Sequence, residues 1–221
     1  MMARIPEPEL MDDPAQARAY AKEDFSEANS LFLDCFDRLV PGPVSGRALD
    51  LGCGPAEITL RFARRHPGCH IDGLDGAGAM LAFGHQALAA APELQSRVSL
   101  ICEPLPGPGL AAGSYDHILS NSLLHHLHDP LLLWETIRRC ARPGASVLVM
   151  DLFRPRNRDR AETLVTQYAA TAPDVLRRDF RNSLLAAFTP EEVEQQLQEA
   201  GFTGLCIERV SDRHMTISGH L

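Results

Sequence analysis

The stretch Ala48-Leu49-Asp50-Leu51-Gly52-Cys53-Gly54-Pro55 runs from an apolar segment into a glycine-rich turn and carries the residues best suited to hold a ligand. Gly52 and Gly54 permit a tight turn and let a ligand approach the backbone, and a helix starting beyond them offers unpaired N–H groups to an anionic group. A second acid follows in His70-Ile71-Asp72-Gly73-Leu74-Asp75. In a doubly wound sheet the end of the second strand lies beside the first glycine turn, so Asp75 is placed to accept hydrogen bonds from the two hydroxyls of a ribose. Asp72, three residues earlier, reads as an exposed strand residue or a local cap. A dinucleotide site asks for a third glycine in G-x-G-x-x-G, but Glu57 stands there and would meet a pyrophosphate with like charge. Asp50, just before the turn, suits a cationic ammonium. Together these residue types point to an adenosine that carries an amino-acid tail.

Such a site needs a parallel sheet to position it, and the chain has the pattern of one. Short β-type runs at 47–51, 69–74, 97–102, 115–120 and 145–152 alternate with segments of helical period. Each gap has room for a crossover helix, although the Pro/Gly-rich one between the third and fourth runs reads mostly as loop. Ile58 and Phe62 lie one turn apart in a helix that ends in Arg64-Arg65-His66 before Pro67-Gly68. Asp129-Pro130 reads as an N-cap with proline at the first helical position, and Pro143-Gly144 as the stop of that helix. Thr189-Pro190-Glu191-Glu192 has the form of a capping box, with Phe188 and Val193 spaced as a hydrophobic staple and Gly201 as the stop. Two regions fall outside the alternation. Residues 1–45 read as a polar leader and an N-terminal helical cover, with helical stretches around 15–22 and 28–39. Residues 153–187 read as a helical insertion, Arg-rich at Arg154, Arg156, Arg158 and Arg160. Added segments on a regular scaffold are where specificity tends to reside.

Composition narrows the class. At 221 residues, 45% hydrophobic and 23% charged, the chain can bury the core of one compact domain. Its 21 basic against 29 acidic side chains leave a net charge of −8, with no basic excess to wrap a nucleic acid. The opening MMARIPEPELMDD has neither the charge nor the apolar run of a secretory leader, and no later run is long enough to span a bilayer, so a soluble cytoplasmic protein is expected. The cysteines at 35, 53, 69, 102, 140 and 206 stand singly, without metal-site spacing. They read as reduced core thiols, Cys102 and Cys206 among them because of their apolar neighbours.

With these residues in view, the chain resembles the class I S-adenosylmethionine-dependent methyltransferases of small-molecule type over residues 46–221. Leu49-Asp50-Leu51-Gly52-Cys53-Gly54 is similar to the family's first motif and Gly73-Leu74-Asp75-Gly76-Ala77-Gly78-Ala79-Met80-Leu81 to its second. Ser114 to Leu127, ending in Ser120-Asn121-Ser122-Leu123-Leu124-His125-His126-Leu127, is similar to its fourth-strand motif, and Ala141-Arg142-Pro143-Gly144-Ala145 to the turn before strand five. The resemblance implies a Rossmann-like α/β fold, a doubly wound seven-stranded sheet of order 3-2-1-4-5-7-6 with helices on both faces and a small helical cover, its last strands near 207–211 and 215–218. It implies S-adenosyl-L-methionine as cofactor. Gly52 and Gly54 would lie against the methionine moiety, Asp50 near its ammonium, Asp75 on the ribose and Met80 against the adenine, with Cys53, Gly76 and Asn121 among the other cofactor-binding residues. Glu103 stands where family members often carry a Gly-Asp pair that reaches the adenine amino group, a weaker correspondence.

A methyl sulfonium is already activated, so the protein mainly orients an acceptor and excludes water; orientation alone contributes about 7–11 kcal/mol in favourable cases. Where the acceptor loses a proton, His125, His126, Tyr20 and Asp24 are the candidate bases. The run His125-His126-Leu127-His128-Asp129 also has metal-ligand residue types, but similar pieces in the family carry no metal, and none is expected. The acceptor is expected to be a small molecule. An RNA or protein acceptor, encouraged only by the arginine clusters, and a non-catalytic cofactor-binding protein of the same fold are the alternatives.

Overall fold

Ala48 packs into one apolar cluster while its neighbours Leu49 and Leu51 pack into another. Successive strand side chains point to opposite faces, so a strand apolar at consecutive positions has to be covered twice. The same split separates Leu119 from Ile118, and Leu148 and Met150 from Val147 and Val149. The computed structural model describes residues 2–221; Met1, the first residue of the leader, lies outside them. In chain order the helices are α1 (Pro14–Tyr20), α2 (Ser26–Leu39), α3 (Glu57–Arg65), α4 (Gly78–Ala89), α5 (Leu131–Cys140), α6 (Arg158–Tyr168), α7 (Asp174–Ala186) and α8 (Pro190–Glu199). The strands are β1 (Ser45–Leu51), β2 (Gly68–Asp75), β3 (Val98–Cys102), β4 (Tyr115–Asn121), β5 (Ala141–Leu152), β6 (Leu205–Arg209) and β7 (His214–His220).

They form one seven-stranded sheet in the expected order β3-β2-β1-β4-β5-β7-β6. The first five strands are parallel, and β7 runs antiparallel to both β5 and β6. The chain order reverses at β1, between β2 and β4, which opens a crevice at the carboxyl ends of these strands. Phe32, Phe36 and Phe62 from α2 and α3 cover one face; Leu133, Trp134, Ile137, Val193 and Leu197 from α5 and α8 cover the other. Thus α2 packs on the sheet itself. The leader and α1 lie over the crevice, where Ala17, Met11 and Tyr20 meet Ala77 and Met80. In the insertion α6 and α7 pack on the end of β5, through Leu152, Leu164, Val165 and Leu184.

Several local expectations are corrected. The helix α5 starts one residue late: Pro130 is its N-cap, and Asp129 accepts from the Leu131 N–H at 3.0 Å. It is also not stopped by Pro143-Gly144, because it ends at Cys140 and β5 begins at once. A residue before proline is pushed out of the helical region, so Arg142 already belongs to the strand. Cys102 and Cys206 are exposed, since they sit on the two edge strands β3 and β6; the other four cysteines are buried. Arg154 is buried, donating to Glu192 at 2.5 Å and to the Ala187 carbonyl at 3.1 Å, so it belongs to neither a solvated loop nor an acceptor site. Asp72 is half-buried and receives Arg47 at 2.7 Å and the Tyr115 hydroxyl at 2.8 Å.

The capping box at α8 is present: the Glu192 N–H donates to Thr189 Oγ1 at 3.3 Å and the Thr189 N–H to Glu192 Oε2 at 2.9 Å. Phe188 and Val193 share one cluster, as the staple requires. Thr189→Ala is expected to destabilise the protein by about 1 kcal/mol, read as a lower urea midpoint with an unchanged slope. An unchanged midpoint would show that the cap contributes nothing.

Candidate functional site

The turn after β1 is shaped by positive backbone angles at Gly52 (φ 74°) and Gly54 (φ 53°), followed by Ala56 in the left-handed region at the start of α3. A Cβ at Gly52 would lie 2.9 Å from the Leu123 side chain, so the position requires glycine twice over. The Gly52 and Cys53 N–H groups donate to the Leu74 carbonyl at 2.8 and 3.0 Å, which ties the turn to the end of β2. Asp75 then clamps both sides of the crevice, its Oδ2 accepting from the Gly54 N–H and its Oδ1 from the Ala77 N–H, each at 2.7 Å. Burial nevertheless pushes its carboxyl up, against the pull of those two bonds. Asp50 is buried beneath the turn and accepts from the Thr59 hydroxyl at 2.6 Å; burial pushes it up to about 7. At the end of β4, Asn121 Oδ1 is buried with no hydrogen-bond partner.

The other sequence-derived residues gather at the same place with different roles. Asp50, Gly52, Cys53, Gly54, Asp75, Gly76, Met80, Glu103 and Asn121 all line a cavity of about 430 Å3, together with His125, His126, Tyr20 and Asp24. Gly76 packs beneath Leu10 of the leader, and Glu103 accepts from the Gly109 N–H at 3.0 Å. Burial drives the Cys53 thiol well above its usual value. Tyr20 stacks on Phe25 with ring centroids 4.6 Å apart, and burial pushes its phenol up to about 12, so it stays neutral. Asp24 is exposed at the mouth and accepts at 2.9 Å from the N–H of Ser26, the first residue of α2.

At the other end of the cavity, His125 Nδ1 lies 2.5 Å from Asp151 Oδ1, and the His125 backbone N–H donates to Asp151 Oδ2 at 3.2 Å. Burial alone would push the His125 imidazole down, but Asp151 and Glu7 outweigh it and raise it. Burial, reinforced by His125, pushes its neighbour His126 down to about 3. The leader runs over this end. Arg4 donates to the His125 and Leu127 carbonyls at 2.9 Å each, Glu9 accepts from the His128 N–H at 2.7 Å, and Asp12 accepts from the Ala79 N–H at 2.8 Å. Glu7 Oε1 lies 3.5 Å from a ring nitrogen of each histidine. Sequence reasoning missed Glu7, Asp151 and His214, all close to the cavity. Only Asp151 had a signal, an acid at the carboxyl end of a central strand.

A family model described as a methyltransferase domain matches residues 20–207. An uncharacterised methyltransferase of Mycobacterium tuberculosis is 24% identical over 165 residues, 73% of this chain and 80% of that protein. A trans-aconitate 2-methyltransferase of Deinococcus radiodurans is 36% identical over 142 residues, 62% of this chain but only 48% of that protein. In fold, the chain is similar to a protein of Methanococcus maripaludis described as an S-adenosyl-L-methionine-dependent methyltransferase, with TM-score 0.72 at 18% identity, covering 97% of this chain and 96% of that one.

Proposed function

We propose that this chain, which belongs to the methyltransferase domain family, transfers the methyl group of S-adenosyl-L-methionine to a small molecule held in the cavity between the Gly52–Gly54 turn and the His125–His126 pair. The observation that carries the reading is the convergence of Asp50, Asp75 and the unpartnered Asn121 Oδ1 on one glycine turn at one cavity. The residues fit the cofactor: two buried oxygen acceptors suit an ammonium, an acid at the end of β2 suits ribose hydroxyls, and Met80 offers an apolar wall for a purine. Bound S-adenosylmethionine supplies a methyl group activated on a sulfonium, with a neutral thioether as leaving group.

The chain's own residues then have to orient an acceptor and exclude water. Leu10, Met11 and Tyr20 cover the cofactor end, and Tyr20, held neutral, acts there as a wall and hydrogen-bond donor. Asp24 guards the mouth. His125 and His126 line the end of the cavity where the acceptor's reacting heteroatom would sit, which the α6–α7 side faces through Tyr168, Leu176 and Phe180.

The cavity also speaks to the acceptor's charge. Ten carboxylates line it against a single guanidinium, Arg213, which already stacks 3.3 Å over the Tyr168 ring. A tricarboxylate such as trans-aconitate would enter against this field, so a neutral or cationic small molecule is the better fit. A polyanionic RNA fits no better. Arg160, Arg178 and Arg181 are paired with Asp212, Asp179 and Glu162, and Arg177 with Asp174, which weakens the encouragement the arginine clusters offered.

Calorimetric titration with S-adenosylmethionine and S-adenosylhomocysteine tests the cofactor, and a panel of amines, phenols and polycarboxylates then tests the acceptor. Saturable binding with turnover on neutral or cationic acceptors supports the reading; no cofactor binding overturns it, and preferred turnover of a tricarboxylate overturns the charge argument. The affinity should also depend on pH. Asp50 pairs with an ammonium only when ionised, and it is held near 7 in the free protein. Binding of S-adenosylhomocysteine is therefore expected to weaken as pH falls below 7, by up to about tenfold per unit. Asp50→Asn should abolish that slope; a flat profile in the parent protein would remove Asp50 from the ammonium site.

A further inference from the structure

We infer that Glu7, His125 and His126 form a binding site for a divalent transition-metal ion of the zinc class, with an open coordination position facing the cavity. Glu7 Oε1 lies 3.5 Å from His125 Nε2 and 3.5 Å from His126 Nδ1. A charge-assisted N–H···O contact settles near 2.7–2.9 Å, about 0.6 Å shorter than either. The Glu7 side chain is only 9% exposed, yet its Oε1 has no hydrogen-bond partner. A buried carboxylate oxygen equidistant from two imidazole nitrogens, within ion-pair range of both but hydrogen-bonded to neither, is spaced as a metal ligand would be. On a tetrahedral ion with bonds of about 2.1 Å, ligand atoms stand about 3.4 Å apart. The three ligand atoms all lie within 4.8 Å of one another.

The surroundings support the same assignment. Asp151 holds His125 through Nδ1 at 2.5 Å, which leaves Nε2 as the atom directed at Glu7. A carboxylate behind the far nitrogen is the usual partner of a metal-bound histidine, fixing its ring and raising its basicity. The His126 ring lies beside that of His125, centroids 4.3 Å apart. Its Nδ1 also makes a long hydrogen bond to the Pro8 carbonyl at 3.3 Å, which coordination would replace. Two imidazoles and one carboxylate favour zinc, cobalt or iron over calcium or magnesium, which prefer oxygen donors. Three protein ligands leave a position for water or an acceptor heteroatom, and all three residues line the cavity. The ion would thus sit where the acceptor binds.

The test uses the full chain, stripped with a chelator and exchanged into metal-free buffer, and needs no acceptor. Titration with Co(II), followed by its visible d–d absorption, and with Zn(II) by calorimetry is expected to show one ion per chain, bound at micromolar or tighter affinity. Glu7→Gln and His126→Ala should each weaken it by more than the ~10–100-fold typical of losing an outer partner, while His128→Ala, at the exposed neighbouring histidine, changes nothing. S-Adenosylhomocysteine binding measured on the same samples reports folding and separates the two readings. No saturable site in a chain that binds S-adenosylhomocysteine, or a site indifferent to Glu7→Gln and His126→Ala, overturns the metal assignment and leaves methyl transfer intact.

Discussion

Asp75→Ala is expected to weaken binding of S-adenosylhomocysteine by about 100-fold or more. Hydrogen bonds to a charged group contribute about 1.5–3 kcal/mol each, so two to the ribose account for about 3 kcal/mol at the least. The same carboxylate also holds the Gly54 and Ala77 N–H groups, so its removal loosens the turn and the start of α4 together. Asp75→Asn separates the two contributions, since its amide retains one oxygen for the backbone while losing the charge and one acceptor. It should bind more tightly than the alanine variant and more weakly than the parent protein. Calorimetry reads the affinities, and a thermal midpoint on each variant confirms that the fold persists. Affinity within a few-fold of the parent in Asp75→Ala would take the ribose away from Asp75 and the cofactor assignment with it.

The residues of this cradle were legible in the sequence because each acts near its own place in the chain. A glycine that needs positive φ, an acid at a strand end and a capping box depend on neighbours within a few positions, and the alternation of strand and helix fixes the sheet that brings Asp75 beside Gly54. The sheet order followed from the resemblance carried by those motifs. What stayed hidden depends on contacts between distant segments. Glu7 belongs to a polar leader with no periodicity, and nothing in it signals that the leader crosses the crevice to residues more than a hundred positions away. The histidine run therefore showed two ligand-type side chains and no third. The arginines of the insertion looked available for a substrate because their acids lie elsewhere, Glu192 for Arg154 and Asp212 for Arg160. Cys102 and Cys206 have apolar sequence neighbours, but edge position in the sheet decided their exposure.

Asp151 was read only as the end of the fifth strand, and its importance follows from register. Asn121 pairs with Met150, so the chain leaving β4 passes the last residues of β5 and sets His125 against the Asp151 carboxylate. Asp151→Ala is expected to destabilise the chelator-treated protein by about 3–5 kcal/mol, the usual effect of removing one partner of a buried charged pair. It strands the His125 backbone N–H and leaves a buried imidazole without its counter-charge. The penalty should depend on pH. His125 is raised above its unfolded value, so its contribution is fully present below about 6.5 and fades as pH rises through the folded value. Burial works against ionisation of Asp151, but His125 and the backbone donors outweigh it and lower its value, so its contribution is present above about 3.9 and fades only in stronger acid. Both are complete between about pH 4 and 6.5, where urea denaturation should give the largest difference between variant and parent. The difference should shrink at alkaline pH without vanishing, because the stranded N–H remains. A penalty that stays constant from about pH 6.5 into the alkaline range would mean that His125 is uncharged in the folded protein and the pair acts as a hydrogen bond without a charged imidazole.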